Sequence, residues 1–230
     1  MSRYCDSFKN SVLKILNNRV RRNSLITKLI FGVETKGNQR IHWDFTTLVL
    51  GDFLVQRVRT GYRVLEIGTG PYAILSILLL KHVACKVVAC DISEVYVKEA
   101  IRTARINSVL LNVVCSDLFS NIDGEFNVIF FNSVYIPRQV GERLGIDKLH
   151  NRETDWCGGE NGVEIIDRFL REASTHLMES GEILLGFNAK YLNQDLVVKL
   201  CEDHGYSLKT VFSKSFNPSQ VLVISQEAQR

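Results

Sequence analysis

The stretch Val64-Leu65-Glu66-Ile67-Gly68-Thr69-Gly70 decides the fold of this chain. A short apolar segment runs straight into a glycine-rich turn, and an apolar helical segment follows from Ala73. Because glycine has no Cβ, such a turn lets the backbone approach a bound ligand closely. Taken alone, Gly68, Gly70 and Ala73 also satisfy the G-x-G-x-x-A pattern of dinucleotide-binding proteins, so the turn by itself does not identify the ligand.

Strand-like and helix-like segments alternate on the carboxyl side of this turn. Strands spaced by helices predict a mainly parallel sheet covered on both faces, with its ligand at the carboxyl ends of the strands. A short turn-rich segment joins the last two strands and predicts an antiparallel edge. The predicted fold is therefore α/β and doubly wound. The predicted strands are 63–67, 86–90, 110–115, 126–131, 181–187, 207–212 and 220–224, and the predicted helices are 45–58 (capped by Asp44 or Thr46), 73–81, 94–107, 162–178 and 195–204.

Composition indicates one domain of the larger kind, since 230 residues with 46% hydrophobic content can bury a full core. Lys81, His82 and Lys86 interrupt the most apolar stretch, so no membrane span is predicted. Six cysteines without C-x-x-C spacing indicate reduced thiols, and no secretory leader is visible, so we expect a cytoplasmic or nuclear protein. The five histidines lack metal-ligand spacing, and no metal site is predicted.

Positive charge is concentrated near the N-terminus. Residues 1–60 hold eleven Lys or Arg against four Asp or Glu. Such a run can contact the phosphates of a nucleic acid, or it can be the solvated face of an amphipathic helix, and both interpretations stay open. We divide the chain into a helical, basic extension over 1–45 and a main domain over 46–230. The cations of the acid-free run between Ser7 and Val33 are Lys9, Lys14, Arg19, Arg21, Arg22 and Lys28, and the apolar residues at helical spacing are Val12, Leu13, Leu16 and Val20.

Glu66 separates the candidate ligands of the turn. An ionisable side chain at the end of an apolar strand is costly unless it is paired or meets a polar ligand. A pyrophosphate would be repelled there, whereas a cofactor that carries an ammonium and a sulfonium would be attracted. A nicotinamide-dependent oxidoreductase is therefore disfavoured, also because no obvious proton donor accompanies the turn.

The segment Leu65-Glu66-Ile67-Gly68-Thr69-Gly70 resembles the first motif of class I S-adenosylmethionine-dependent methyltransferases. This resemblance implies S-adenosylmethionine as cofactor and methyl transfer as activity. It assigns cofactor contacts to Glu66, Gly68, Thr69 and Gly70. Tyr72 stands where the family often carries a third glycine.

Two further strand ends extend the resemblance along the cofactor. Asp91, twenty-five residues after Glu66, would accept hydrogen bonds from both ribose hydroxyls, with Ile92 beside it. Asp117 would accept from the adenine amine, and Leu118 would cover a face of the ring. Asp91 also suits a helix cap, and Asp117 an ordinary turn.

The segment Asn132-Ser133-Val134-Tyr135 resembles the N-P-P-Y motif of amino-methyltransferases, and the Ile-Pro pair after it is similar to release-factor glutamine methyltransferases. The resemblance implies that the Asn132 side chain and the following carbonyl accept hydrogen bonds from the target nitrogen. Tyr135 would form a wall of the pocket. Ser133 and Val134 replace both prolines of the motif.

Two weaker similarities point to the same glutamine methyltransferase group. One is Trp156-Cys157-Gly158-Gly159, a candidate lid or flexible loop, and the other is Asp44-Phe45-Thr46-Thr47. The expected acceptor is a protein glutamine, with an RNA base and a small molecule as alternatives. An alternative of another class is a cofactor-binding partner protein without catalysis.

Overall fold

The computed structural model describes residues 19–36, 41–148, 150, 152–214 and 218–226. The described strands form a single seven-stranded sheet covered by α-helices. The strands are β1 Arg63–Ile67, β2 Lys86–Asp91, β3 Asn112–Cys115, β4 Phe126–Asn132, β5 Leu177–Asn188, β6 Tyr206–Ser213 and β7 Ser219–Gln226. The helices are α1 Ser24–Phe31, α2 Phe45–Arg57, α3 Ile74–His82, α4 Glu94–Ile106, α5 Arg138–Leu144, α6 Glu164–Ala173 and α7 Gln194–Asp203.

The strand order is β3-β2-β1-β4-β5-β7-β6. The first five strands pair in parallel, whereas β7 pairs antiparallel with both β5 and β6. The predicted doubly wound sheet with an antiparallel edge is therefore confirmed. The chain winds outward from β1 to β3 and then crosses back to β4, so a crevice opens between the carboxyl ends of β1 and β4.

Alternate strand residues build a core on each face of the sheet. On β4, Ile129 and Phe131 pack with Phe169 of α6, while Val128 and Phe130 pack on the other face. This two-sided burial explains why the parallel strands are apolar throughout. The second face is covered by α2 and α3, through Val49, Leu50, Leu54, Leu75 and Leu79.

The largest differences from the sequence-based predictions concern one helix with the strand β5 that follows it, the third strand, and one further helix. The helix expected over 162–178 ends at Ala173, because the chain turns through a 3₁₀ segment into β5 and Leu177 already pairs with Phe126. The third strand begins at Asn112 rather than at 110, where Leu110 is 95% exposed and has no core to face. Helix α5, which was not predicted, follows directly on Pro137.

The described part of the extension packs on the main domain. Asn23 caps α1 by accepting hydrogen bonds from the backbone of the first turn. Phe31, Val33 and Trp43 then pack in a cluster with Tyr72. The predicted amphipathic pattern over Val12–Val20 falls largely outside the described residues, and the division at residue 45 stays a prediction. Among the helices that the structure describes, none is both long and apolar enough to cross a membrane.

Candidate functional site

A cleft of about 540 Å³ opens at the carboxyl ends of β1, β2 and β4. Most of the residues predicted to bind a cofactor line it, although they come from separate strands. We call this cavity the cofactor cleft. Of the predicted site residues, Gly68, Gly70, Asp91, Ile92, Asp117, Leu118 and Asn132 line it.

The turn after β1 depends on two glycines in the left-handed region. Gly68 has φ +68° and Gly70 has φ +64°, conformations that side chains with a Cβ rarely adopt. A Cβ on Gly68 would also lie 3.2 Å from the Phe131 ring. The turn therefore keeps backbone, and not side chains, at the floor of the cofactor cleft.

Glu66 and Thr69 bind each other beneath this turn. The buried Glu66 Oε2 accepts a hydrogen bond of 2.7 Å from Thr69 Oγ1 and another from Ser76 Oγ. Burial raises the pKa of Glu66 to about 7. Neither residue lines the cofactor cleft, and both line a neighbouring cavity. Their visible role is to fix the shape of the turn.

Asp91 presents its carboxylate to the cofactor cleft and does not cap the following helix. Its Oδ2 accepts from Gly70 N and its Oδ1 from Ser93 N, both at 2.9 Å. The helix cap is Ser93, whose hydroxyl accepts from Tyr96 N. Burial raises the pKa of Asp91. Each carboxylate oxygen has a further lone pair, so two hydroxyl donors can be accepted side by side.

A charged residue and two apolar residues line the cofactor cleft just after the ends of β2 and β3. Asp117 forms an ion pair of 3.0 Å with Arg168, and both residues line the cleft. Leu118 is held at φ +47°, and the Ser116 hydroxyl donates to its carbonyl. Ile92 is 52% exposed and lines the same cavity. Ile92 and Leu118 thus offer apolar surface to a flat ligand.

A second and larger cavity, of about 1060 Å³, adjoins the first. We call it the acceptor cleft. Gly68, Gly70, Pro71, Asn132 and His150 line both cavities. Asn132 therefore lies at their junction, while Tyr135 lines only the acceptor cleft.

The amide of Asn132 is oriented by the start of α2. Its Nδ2 donates to Asp44 Oδ1 at 3.3 Å and to Thr47 Oγ1 at 3.2 Å. A carboxylate can only accept hydrogen bonds, so the amide nitrogen must face Asp44 and the oxygen must face away. Asn132 Oδ1 is buried and has no hydrogen-bond partner among the described residues. An unpaired buried acceptor is costly unless a ligand supplies the donor.

Tyr135 is held by the same helical turn. Its ring is buried, and its hydroxyl lies 3.4 Å from Thr46 Oγ1, which in turn donates to Ser219. Burial raises the pKa of Tyr135, so the phenol stays protonated at neutral pH. Its position suits a wall of the cleft.

Hydrogen bonds hold the loop at Ser133 and Val134, where the motif has prolines. The Ser133 backbone and hydroxyl both donate to the Gly186 carbonyl, at 3.1 and 3.0 Å. Further along, Gly158 N donates to Ile136 O at 3.0 Å. The segment predicted as a lid or flexible loop is therefore packed against the N-S-V-Y segment, and Trp156 is buried.

For several residues that line the clefts, no sequence motif indicated this position. Tyr96 and Asp155 line the cofactor cleft and share a hydrogen bond of 2.7 Å. Trp43 and Tyr191 line the acceptor cleft, together with Arg21, which the sequence identified only as one cation of the basic run. They come from distant segments without a shared motif, so only their convergence in the fold reveals them.

Comparisons with known proteins show what this chain is similar to. The family model described as ribosomal protein L11 methyltransferase matches residues 44–147. A putative protein N5-glutamine methyltransferase of Methanocaldococcus jannaschii is 41% identical over 120 residues, 52% of this chain and 58% of that protein. A release factor glutamine methyltransferase of Streptococcus pneumoniae is 29% identical over 138 residues, 60% of this chain and 50% of that protein.

The chain thus spans between half and three-fifths of the length of these two relatives. Among solved structures, a methyltransferase from Pyrococcus furiosus superposes with a TM-score of 0.66 at 23% identity, covering 94% of this chain and 96% of that one. That likeness establishes the architecture. The chain therefore has the class I S-adenosylmethionine-dependent methyltransferase fold, and its sequence is similar to the protein glutamine methyltransferases and the ribosomal protein L11 methyltransferases.

Proposed function

We propose that this protein binds S-adenosylmethionine in the cofactor cleft and transfers its methyl group to a nitrogen, namely the side-chain amide of a protein glutamine. The observation that carries the proposal is Asn132 Oδ1, which lies at the junction of the two clefts and has no hydrogen-bond partner in the described part of the chain. An amide nitrogen brings the N–H donor that this buried acceptor lacks.

The cofactor cleft fits the proposed cofactor on three grounds. The Asp91 carboxylate keeps acceptor capacity for a pair of ribose hydroxyls. Ile92 and Leu118 line the cleft with apolar surface for the adenine, and Asp117 lies beside them. Gly68 and Gly70 keep room for the methionine part. When bound, S-adenosylmethionine supplies a methyl group on a positively charged sulfur.

Orientation is the catalytic contribution that we assign to the chain. Asn132, fixed by Asp44 and Thr47, accepts a hydrogen bond from an N–H of the target amide and so orients the target nitrogen toward the cofactor cleft. Tyr135 limits the space on the acceptor side. Holding two reactants in line removes much of the entropic part of the barrier. The target nitrogen gains the methyl carbon and releases one of its N–H protons to water.

Replacement of Asn132 tests this function. Asn132→Ala should lower single-turnover methyl transfer to a glutamine peptide by about a hundredfold, the scale of a lost transition-state contact. Affinity for S-adenosylhomocysteine, measured by calorimetry, should stay within about threefold, because Asp91 and the glycine turn are untouched. Asn112→Ala, at an exposed position on β3, is the matched control and should behave like the wild type.

Normal turnover by Asn132→Ala would remove the amino-methyltransferase assignment. A wild type that binds S-adenosylhomocysteine but methylates no glutamine peptide, RNA or small amine would instead be a cofactor-binding partner protein. Methyl transfer to a small amine in the same assay would identify a small-molecule acceptor.

An RNA base is the second candidate acceptor, favoured by the basic run near the N-terminus. Two of its cations, Arg21 and Arg22, line the clefts, while Arg19 is exposed and Lys28 pairs with Glu34. Contact between this run and a nucleic acid is thus a further proposal. A cytoplasmic site of action is likewise proposed, in keeping with the free cysteines among the described residues.

A further inference from the structure

Arg21 places a guanidinium in the wall of the acceptor cleft. Its Nε donates to the Trp43 carbonyl at 2.6 Å, which anchors the plane of the group. No carboxylate lies within ion-pair distance of Arg21 in the described part of the chain. The remaining guanidinium nitrogens can still donate hydrogen bonds, and the group stays charged at every physiological pH.

The two acids that line the acceptor cleft, Asp44 and Glu66, each accept hydrogen bonds from neighbouring groups. Asp44 Oδ1 accepts from Thr47 N and Thr47 Oγ1, both at 2.7 Å, and from Asn132 Nδ2. Glu66 accepts from Thr69 and Ser76 below the turn. Burial lowers the pKa of Arg21 and the charge of Asp44 partly offsets this. Arg21 is therefore a half-buried cation, and Asp44, the acid that acts on it electrostatically, also accepts hydrogen bonds from Thr47 and Asn132.

The surroundings of Arg21 add more donors and positive charge. Lys190 lines the same cleft, with its ammonium 5.4 Å from the Tyr191 ring centroid. Trp43 also lines the cleft, and its indole Nε1 is a buried donor without a partner among the described residues. A ligand that brings oxygen acceptors and negative charge would satisfy this side of the cleft.

We infer that Arg21 binds a carboxylate of the methyl acceptor, so that the acceptor is a glutamine with a carboxylate close to its side-chain amide. The inference rests on the proposed function, since the same cleft must hold the amide at Asn132. Asp44 connects the two positions: it binds the Asn132 amide and acts electrostatically on Arg21. The carboxylate can be the glutamine's own terminal group or the side chain of a neighbouring Asp or Glu.

Binding of two small probes tests the inference without any turnover. N-acetylglutamine carries a carboxylate and N-acetylglutaminamide does not. With S-adenosylhomocysteine present, calorimetry on the full chain should show the acid binding about tenfold tighter than the amide. Arg21→Gln should remove this preference, and Arg21→Lys should keep part of it, because lysine retains the charge but not the planar fork.

Two controls make the result specific. Arg59→Gln, at an exposed position outside both clefts, should keep the full preference. Unchanged S-adenosylhomocysteine affinity should show that each variant is folded. Peptides with an internal glutamine, with or without a flanking Glu, then distinguish a side-chain carboxylate from a terminal one.

Equal affinity for the acid and the amide, or a preference that survives Arg21→Gln, would overturn the inference. So would the absence of binding by both probes at millimolar concentration. If adenosine monophosphate binds in an Arg21-dependent manner while N-acetylglutamine does not, the site recognises a phosphate. The acceptor is then an RNA and not a peptide. Failure of the proposed function gives a different result. In that case the wild type either does not bind S-adenosylhomocysteine, or it prefers the acid probe but transfers no methyl group.

Discussion

At the scale of single residues, the same side-chain chemistry serves different purposes in different surroundings. Glu66 is the penultimate residue of β1, Asp91 is the last residue of β2, and both are buried. Glu66 binds the hydroxyls of Thr69 in the turn and of Ser76 in α3, whereas Asp91 binds two backbone N–H groups and still lines the cofactor cleft. Only the second carboxylate is available to a ligand in that cleft.

Asp91→Ala should accordingly weaken S-adenosylhomocysteine binding by about tenfold or more, because hydrogen bonds to a charged acceptor are lost. The chain should remain folded, since the side chain borders an open cavity. Calorimetric affinity is the measurement, and Asp123→Ala, at an exposed position, is the control. Wild-type affinity in Asp91→Ala would end the ribose assignment.

At the scale of elements, the first turn of α2 positions both predicted acceptor residues. Asp44 caps the helix and, with Thr47, binds Asn132, while Thr46 contacts Tyr135. Gly186 allows this turn to approach β5, because a Cβ there would lie 2.9 Å from Thr46 Cγ2. The helix start therefore acts as a support for the N-S-V-Y segment.

Gly158 supports the same segment from the opposite side. A Cβ on Gly158 would lie 2.8 Å from Tyr135 Cα and 2.8 Å from the Val134 carbonyl oxygen, both backbone atoms. Gly158→Ala must then displace the segment, and we expect methyl transfer to fall by about tenfold to a hundredfold, since small misplacements of reacting groups are costly. Affinity for S-adenosylhomocysteine should change little.

The control for this variant is Gly205→Ala, which has open space around its Cβ but strain at φ +77°. Both variants should lower thermal stability, but only Gly158→Ala should lower the transfer rate. Equal rates in the two variants would show that the Gly-Gly segment does not hold the N-S-V-Y segment in place.

At the scale of the whole molecule, Glu66 couples stability to pH. Its folded pKa of about 7 lies above the ordinary 4.5, so between these values the folded state holds a proton that the unfolded state has released. The contribution of Glu66 to the free energy of unfolding is fully present below pH 4.5 and decreases as the pH rises toward 7. The largest loss is about 3 kcal/mol of unfolding free energy.

Glu66→Gln should remove this pH dependence. Urea titrations at pH 5 and pH 8 measure the unfolding free energy. From pH 5 to pH 8 this free energy should fall by up to about 3 kcal/mol more in the wild type than in the variant. Glu142→Gln, at an exposed position, should follow the wild type. Parallel pH profiles for wild type and Glu66→Gln would contradict the assignment.

The sequence by itself determined the alternation of strands and helices, the antiparallel edge and the glycine turn. These follow from local signals: apolar runs, turn residues and helix caps act within a few residues of one another. Asp44 as the cap of α2 and Arg63–Ile67 as β1 are examples. The strand ends that line the cofactor cleft followed as well, because parallel strands end at the same edge of a sheet.

Only the tertiary structure decided which polar groups remain available to ligands. That Asn132 Oδ1 has no partner among the described residues and that Arg21 reaches the acceptor cleft depend on segments far apart in the chain. Strand β5 likewise begins earlier than predicted, because pairing with Phe126 overrides the helical pattern before it. Hydrogen-bond satisfaction and burial are properties of the packed chain, so no local pattern specifies them.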